Sequence, residues 1–202
     1  MLLCAGSEID QAEDHTDYVQ CLCVEGWWVA TGGQGDKKIM VYRASPAGRL
    51  TRMYSCCGHS GWVRRLAISG DLLVSGSLDM TVRVWDLSTG HQVRSLPVDS
   101  PVMSLALPRR DLILYGDKAG KVSFLNLETS ACTHLVPSLR LGQDKYRRSL
   151  KFHDGSVDAL VFRPREKLLV TGSDDRFVKL WRLEQWEENV KMTEVTEIDT
   201  VR

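Results

Sequence analysis

The chain has 202 residues, 43% of them apolar, with 26 Lys or Arg set against 26 Asp or Glu. A net charge of zero provides no field to draw it to a nucleic-acid backbone or an anionic membrane surface, so specific nucleic-acid binding is not expected. The longest apolar runs, such as "DALVF" and "KLLVTG", are strand-sized, and membrane insertion is not expected either.

The opening "MLLCAG" has neither the basic flank nor the apolar length of a secretory leader. Six cysteines, at 4, 21, 23, 56, 57 and 132, form no C-x2-C pair and read as reduced packing residues. A cytoplasmic or nuclear location is the expectation. No cluster of metal-ligand spacing or cofactor loop stands out, and no cofactor is expected.

In chain order, residues 1–14 include "LLCAGS" (2–7), which echoes "LLVSGS" (72–77) and reads as part of an earlier unit or as a closing strand. A first full unit spans 15–57, opening "HTDYVQCLCVEGWWVATGGQGDKKIMVYR". The second spans 58–97 and contains "HSGWVRRLAISGDLLVSGSLDMTVRVWD". Its alternation predicts strands near 63–69, 72–77, 81–86 and 93–96, with Gly90 turning the third into the fourth. A third, worn unit spans 98–152. In it Val98, Ala119 and Leu125 stand where the second unit has His59, Asp79 and Trp85, and an insertion occupies 137–152. The fourth, 153–183, reads "HDGSVDALVFRPREKLLVTGSDDRFVKLWR". Residues 184–202 read as an acidic tail, whether short helix, frayed strand or disordered segment. Tyr42, Trp85, Leu125 and Trp181 occupy equivalent places, about 40 residues apart except for the longer last interval.

With these repeats the chain resembles the WD-repeat β-propellers over about residues 15–183. The resemblance rests on His59…Ser75-Gly76…Asp79…Trp85-Asp86 and on His153…Thr171-Gly172…Asp175…Trp181. It implies an all-β fold of four-stranded antiparallel blades. Such propellers typically close with seven blades, about 290 residues at roughly 42 each, so an incomplete propeller, a fragment or shortened isoform, is expected. Its open ends would leave strand edges unpaired.

The resemblance further implies that His15, Thr31 and Asp36, then His59, Ser75, Asp79 and Trp85, then His153, Thr171, Asp175 and Trp181 form a hydrogen-bonded network within each blade. Ser75, His59 and Asp79 also have the composition of a hydrolase triad. The trio recurs once per unit, which a nucleophile site does not do, and the structural reading is preferred. "TGGQGDKK" (31–38) lacks the G-x-x-x-x-G-K-[ST] phosphate loop and precedes a strand, so it reads as an enlarged hairpin turn. "DKYRRSLKFH" (144–153) joins four cations to two aromatics. An RNA, phosphoinositide or acidic-peptide site there is weighed against a solvated insertion.

Function is therefore expected on the rim. The leading reading is a non-catalytic scaffold that binds partner proteins or peptides within a larger complex. The alternative is the substrate-recognition part of an F-box-type ubiquitin ligase, and a hydrolase is the distant third. By resemblance the rim collects Gln20, Trp62, Arg64, Leu78, Met103, Lys118, Asp158 and Asp174. An F-box-type receptor would place Arg residues at several of these positions, and only Arg64 and Lys118 are cationic.

Overall fold

The computed structural model of the chain describes residues 8, 10–135, 137–138, 151–183 and 195–201. Residues 2–7 and most of the basic stretch at 144–153 lie outside that set. Among the described residues every regular element is a β-strand. The first sheet runs β1 (Val19–Glu25), β2 (Trp28–Gly33), β3 (Ile39–Ala44) and β4 (Leu50–Cys56). The second runs β5 (Val63–Ser69), β6 (Leu72–Ser77), β7 (Thr81–Asp86) and β8 (Gln92–Pro97). The third runs β9 (Val102–Arg109), β10 (Leu112–Asp117), β11 (Val122–Asn126) and β12 (Cys132–His134). In the fourth, β14 (Val157–Arg163), β15 (Leu168–Ser173) and β16 (Val178–Leu183) are followed by β17 (Val195–Val201). A short β13 (Pro137–Ser138) pairs parallel to β17. The stretch read as an acidic tail thus supplies the outer strand of the fourth sheet's meander.

Each inner strand carries one apolar spacing, Val-x-x-Leu-x-apolar: Val19/Leu22/Val24, Val63/Leu66/Ile68, Val102/Leu105/Leu107 and Val157/Leu160/Phe162. A step of three breaks the two-residue alternation of a strand, and a β-bulge absorbs the extra residue. The ladders slip between Val19 and Cys21, Val63 and Arg65, and Val157 and Ala159. In the third sheet the same slip falls opposite Gly116 and Asp117, which pair with Ser104 and Val102. The bulge keeps all three apolar residues on one face, the front.

Front faces pack on the back face of the preceding sheet. Ala30, Ile39 and Val41 meet Val63, Leu66, Leu73 and Trp85 between the first and second sheets. Val74, Val82 and Val84 meet Val102, Ile113, Tyr115 and Leu125 between the second and third. Leu112, Leu114, Val122 and Phe124 meet Val157, Leu169, Trp181 and Leu183 between the third and fourth. At each interface the inner-strand Val presses on a glycine of the sheet before it. A Cβ on Gly32 would come within 2.7 Å of Val63 Cγ1, one on Gly116 within 2.6 Å of Val157 Cγ1, and one on Gly76 closer still to Val102 Cγ1. Only glycine lets the sheets approach so closely. The interfaces string four sheets into a partial propeller. Among the described residues, no comparable packing joins the fourth sheet back to the first.

Candidate functional site

The hydrogen-bonded trios lie where the loop entering a sheet meets its second hairpin turn. In the second sheet His59 Nδ1 is 2.8 Å from Asp79 Oδ2 and His59 Nε2 is 2.7 Å from Ser75 Oγ. Trp85 Nε1–H donates to Ser75 Oγ at 2.9 Å. Since a carboxylate only accepts, Nδ1–H donates to Asp79, and the neutral ring's Nε2 accepts from Ser75. The fourth sheet repeats the chain, His153 to Asp175 at 2.8 Å, His153 to Thr171 at 2.7 Å and Trp181 to Thr171 at 2.8 Å. The first keeps His15 to Asp36 at 2.7 Å and His15 to Thr31 at 2.8 Å, with Tyr42 buried in the indole's place. The third has instead Ser123 bonded to His134 at 2.7 Å.

Burial holds the His59 imidazole below its ordinary pKa, against the opposing pull of Asp79. Burial also raises the Asp79 carboxyl, but hydrogen bonds from Thr81, His59 and Ser60 outweigh it and leave the group below its ordinary value. A neutral imidazole flanked by serine and ionised aspartate has the donor order of a catalytic triad. Access separates the two. Ser75 and Thr171 are both 0% exposed, and an indole N–H already occupies each hydroxyl oxygen. No substrate carbonyl reaches that oxygen, and no tetrahedral intermediate has room to form.

The residues expected on the rim divide into two groups. Gln20, Arg64, Met103 and Asp158 are the bulged residues of β1, β5, β9 and β14, each skipped by its ladder. A bulge re-aims its side chain, so the same device sets four different side chains at one end of the four inner strands. Arg64 Nη2 of the second sheet lies 3.9 Å from Asp158 Oδ1 of the fourth, and Arg65 Nη2–H donates to the Asp158 carbonyl at 2.7 Å. Arg64 Nε is buried with no hydrogen-bond partner. In the second group, Leu78 N–H donates to the Trp62 carbonyl at 3.0 Å and Lys118 N–H to the Pro101 carbonyl at 2.9 Å. The Asp174 carboxylate accepts from Ser173 at 3.4 Å.

Trp62 is 39% exposed and Tyr18 is 75% exposed. Tyr18 takes the same place in the first sheet, its carbonyl accepting from Gln34 N–H at 2.9 Å. The sequence reading missed Tyr18, although "HTDYV" aligned on "HSGWV" carries the signal. Phe152, one of the two aromatics in the basic stretch, is 0% exposed and packs 4.4 Å from the Trp181 ring. It is a core residue and offers no stacking surface to a ligand. No group of three metal-ligating side chains occurs among the described residues.

Comparison with known proteins places this geometry. A family profile described as the TEP-1 C-terminal beta-propeller matches residues 59–127, and one described as WD domain, G-beta repeat, matches 144–182. Transducin beta-like protein 3 of Rattus norvegicus is 29% identical over 176 residues, covering 85% of this chain and 17% of that protein. Periodic tryptophan protein 2 homolog of Schizosaccharomyces pombe is 34% identical over 122 residues, 57% of this chain and 14% of its own length. Nuclear distribution protein nudF 2 of Penicillium rubens is 32% identical over 147 residues, 66% of this chain and 31% of its own. The chain therefore spans a minor part of each of these relatives. In fold it is similar to the crystal structure of the computationally designed Ika4 protein, with a TM-score of 0.67 at 24% identity over 88% of this chain and 99% of that one. The computationally designed Ika8 protein superposes with a TM-score of 0.64 at 23% identity, over 95% of this chain and 51% of that one.

Proposed function

The chain belongs to the WD-repeat β-propeller family, and from that premise we propose that it is a non-catalytic scaffold that binds a partner protein or peptide across the bulged ends of its inner strands. One observation carries the proposal. Four bulges at equivalent positions present four unlike side chains, Gln20, Arg64, Met103 and Asp158, on an otherwise repeated frame. A frame kept constant while its presented residues differ suits recognition rather than packing. Trp62 and Tyr18 beside them supply exposed aromatic area, and Arg64 supplies a partly exposed cation. Aromatic residues and arginine are the types most enriched in binding hot spots.

The location proposed is the cytoplasm or the nucleus, within a larger assembly. Asp158 opposite Arg64 leaves the inner-strand ends nearly neutral, so a neutral or mixed-charge peptide fits better than a multiply phosphorylated one. That disfavours the F-box-type receptor. The test is Trp62→Ala combined with Arg64→Glu, with binding measured by affinity capture and the fold by circular dichroism. The expected loss is at least about 2 kcal/mol, roughly 30-fold in partner affinity, with an unchanged spectrum. Undiminished capture by the folded double variant would place the partner on another face.

A further inference from the structure

Repetition makes the two ends of the arc comparable with its interior, residue by residue. On the back face of the second sheet Val74 and Val82 are 0% exposed, because the third sheet covers them. At the same strand positions in the fourth sheet Val170 and Val178 are 36% and 51% exposed, and Val161 beside them is 59% exposed. On the front face of the second sheet Val63 and Leu66 are 0% and 7% exposed, whereas Val19 and Leu22 of the first are 53% and 65% exposed. Both ends thus keep apolar side chains suited to a neighbouring sheet. The glycines tell the same story. Gly32, Gly76 and Gly116 each carry the inner-strand Val of the next sheet, while the nearest atom to a Cβ on Gly172 would be Ala159 Cβ, 3.7 Å away.

We propose that a second copy of this chain fills both ends, the front face of one copy seated on the back face of the other and the reverse. Val19 of each copy then rests on Gly172 of its partner and completes the series Gly32–Val63, Gly76–Val102 and Gly116–Val157. The two faces are of opposite kind, so the contact is head to tail, and such a contact either closes into a ring or runs on as a fibre. The fold comparisons favour closure with two copies. This arc accounts for 99% of one designed chain and 51% of the other, so the same arc occurs both as a whole chain and as half of a chain twice as long. Residues 10 and 14 bond to the outer strand β4, through Asp10 to Leu50 N–H and Asp14 to Arg52, and leave the exposed side chains of β1 clear. The seam is therefore centred on the inner strands.

The experiment is sedimentation or light-scattering mass on the full chain, with circular dichroism as the control on folding. The wild type is expected at twice the chain mass of 22.7 kDa. Val19 is exposed and a Cβ on Gly172 would meet nothing nearer than Ala159 Cβ at 3.7 Å, so Gly172→Glu and Val19→Glu are each expected to fold and run as a single chain. An equal mixture of the two variants retains one unaltered seam, Val19 of the Gly172→Glu chain on Gly172 of the Val19→Glu chain. That mixture is expected to regain a two-chain species. A wild type of single-chain mass would overturn the proposal. So would a two-chain species that survives Gly172→Glu. A mixture that stays single-chain would overturn it too.

Discussion

Asp79 accepts four hydrogen bonds, from His59 at 2.8 Å, from Ser60 N–H at 3.0 Å, and from Thr81 N–H and Oγ1–H at 3.0 and 2.6 Å. Replacing it with alanine strands the buried His59 donor of the entering loop and the half-buried Thr81 donors of the hairpin turn. Asp79→Ala is expected to cost about 1–3 kcal/mol, read as a lower urea midpoint at unchanged slope. The variant should also lose part of the acid dependence. A carboxyl held below its ordinary value of 3.8 contributes stability above that value, which disappears as the pH falls below it. His59, held below 6.5, resists a proton that the unfolded chain accepts, so its share begins to disappear near pH 6.5 on the way down. Asp36 and Asp175, also lowered, act in the same sense as Asp79. Asp117, raised by burial, acts in the opposite sense. The trios were legible in the sequence because hydrogen-bonding residue types recur at fixed spacing. The Ser123–His134 pair of the third sheet was not, because it joins the neighbouring strands β11 and β12 and follows no repeat.

At the scale of the element, the hairpin turns show how the worn third unit survives. Lys37, Met80 and Arg176 follow their aspartates with φ of 57°, 60° and 74°, a left-handed conformation that costs a side-chain-bearing residue about 1–2 kcal/mol. The third sheet has Ala119 where the others have aspartate; Asp117 at the start of the turn accepts from Lys121 N–H at 2.9 Å, and Gly120 takes the left-handed position at φ 84°. Gly120 also accepts from Phe152 and His153 N–H, at 2.9 and 3.1 Å, which docks the entry to the fourth sheet. A Cβ there would run into the His153 carbonyl. Gly120→Ala is therefore expected to cost at least about 2 kcal/mol, with faster hydrogen exchange concentrated at the third and fourth sheets. Strand positions were readable from apolar alternation, and the second unit agrees with its reading within a residue at each boundary. The bulges were written in the same letters, as the step of three in Val63-x-x-Leu66, but a reading tuned to period two passes over it. The outer strand β17 was hidden by a long charged interval after Leu183, where no local pattern signals a return to the sheet.

For the whole molecule, position in the arc decides what a side chain is worth. Val63, Val102 and Val157 are 0% exposed, while Val19 at the equivalent position is 53% exposed. Alanine at Val63 or Val102 is expected to cost about 1–3 kcal/mol, for lost burial and the void left over the facing glycine. Val19→Ala should cost under about 0.5 kcal/mol when the protein is dilute enough to be a single chain. Chemical denaturation of the three variants side by side checks the ranking. Equal losses would mean that the first sheet's front face is covered in the single chain as well. Composition and repeats located the sheets; the exposure of Val19 depends on what stands next to it in space.

The continuity of strands within each sheet has a further consequence, in the order of folding during synthesis. The His–Asp bonds span 21, 20 and 22 residues, so each closes a short loop and forms early. The first three sheets are complete once Cys56, Pro97 and His134 have emerged, and each can dock on its predecessor as it appears. The fourth gains its outer strand only when Val195–Val201 has been made. At about 5–20 residues per second, β16 waits for that partner while the first three sheets are already buried against one another. Of the four, it is the sheet a growing chain leaves open the longest.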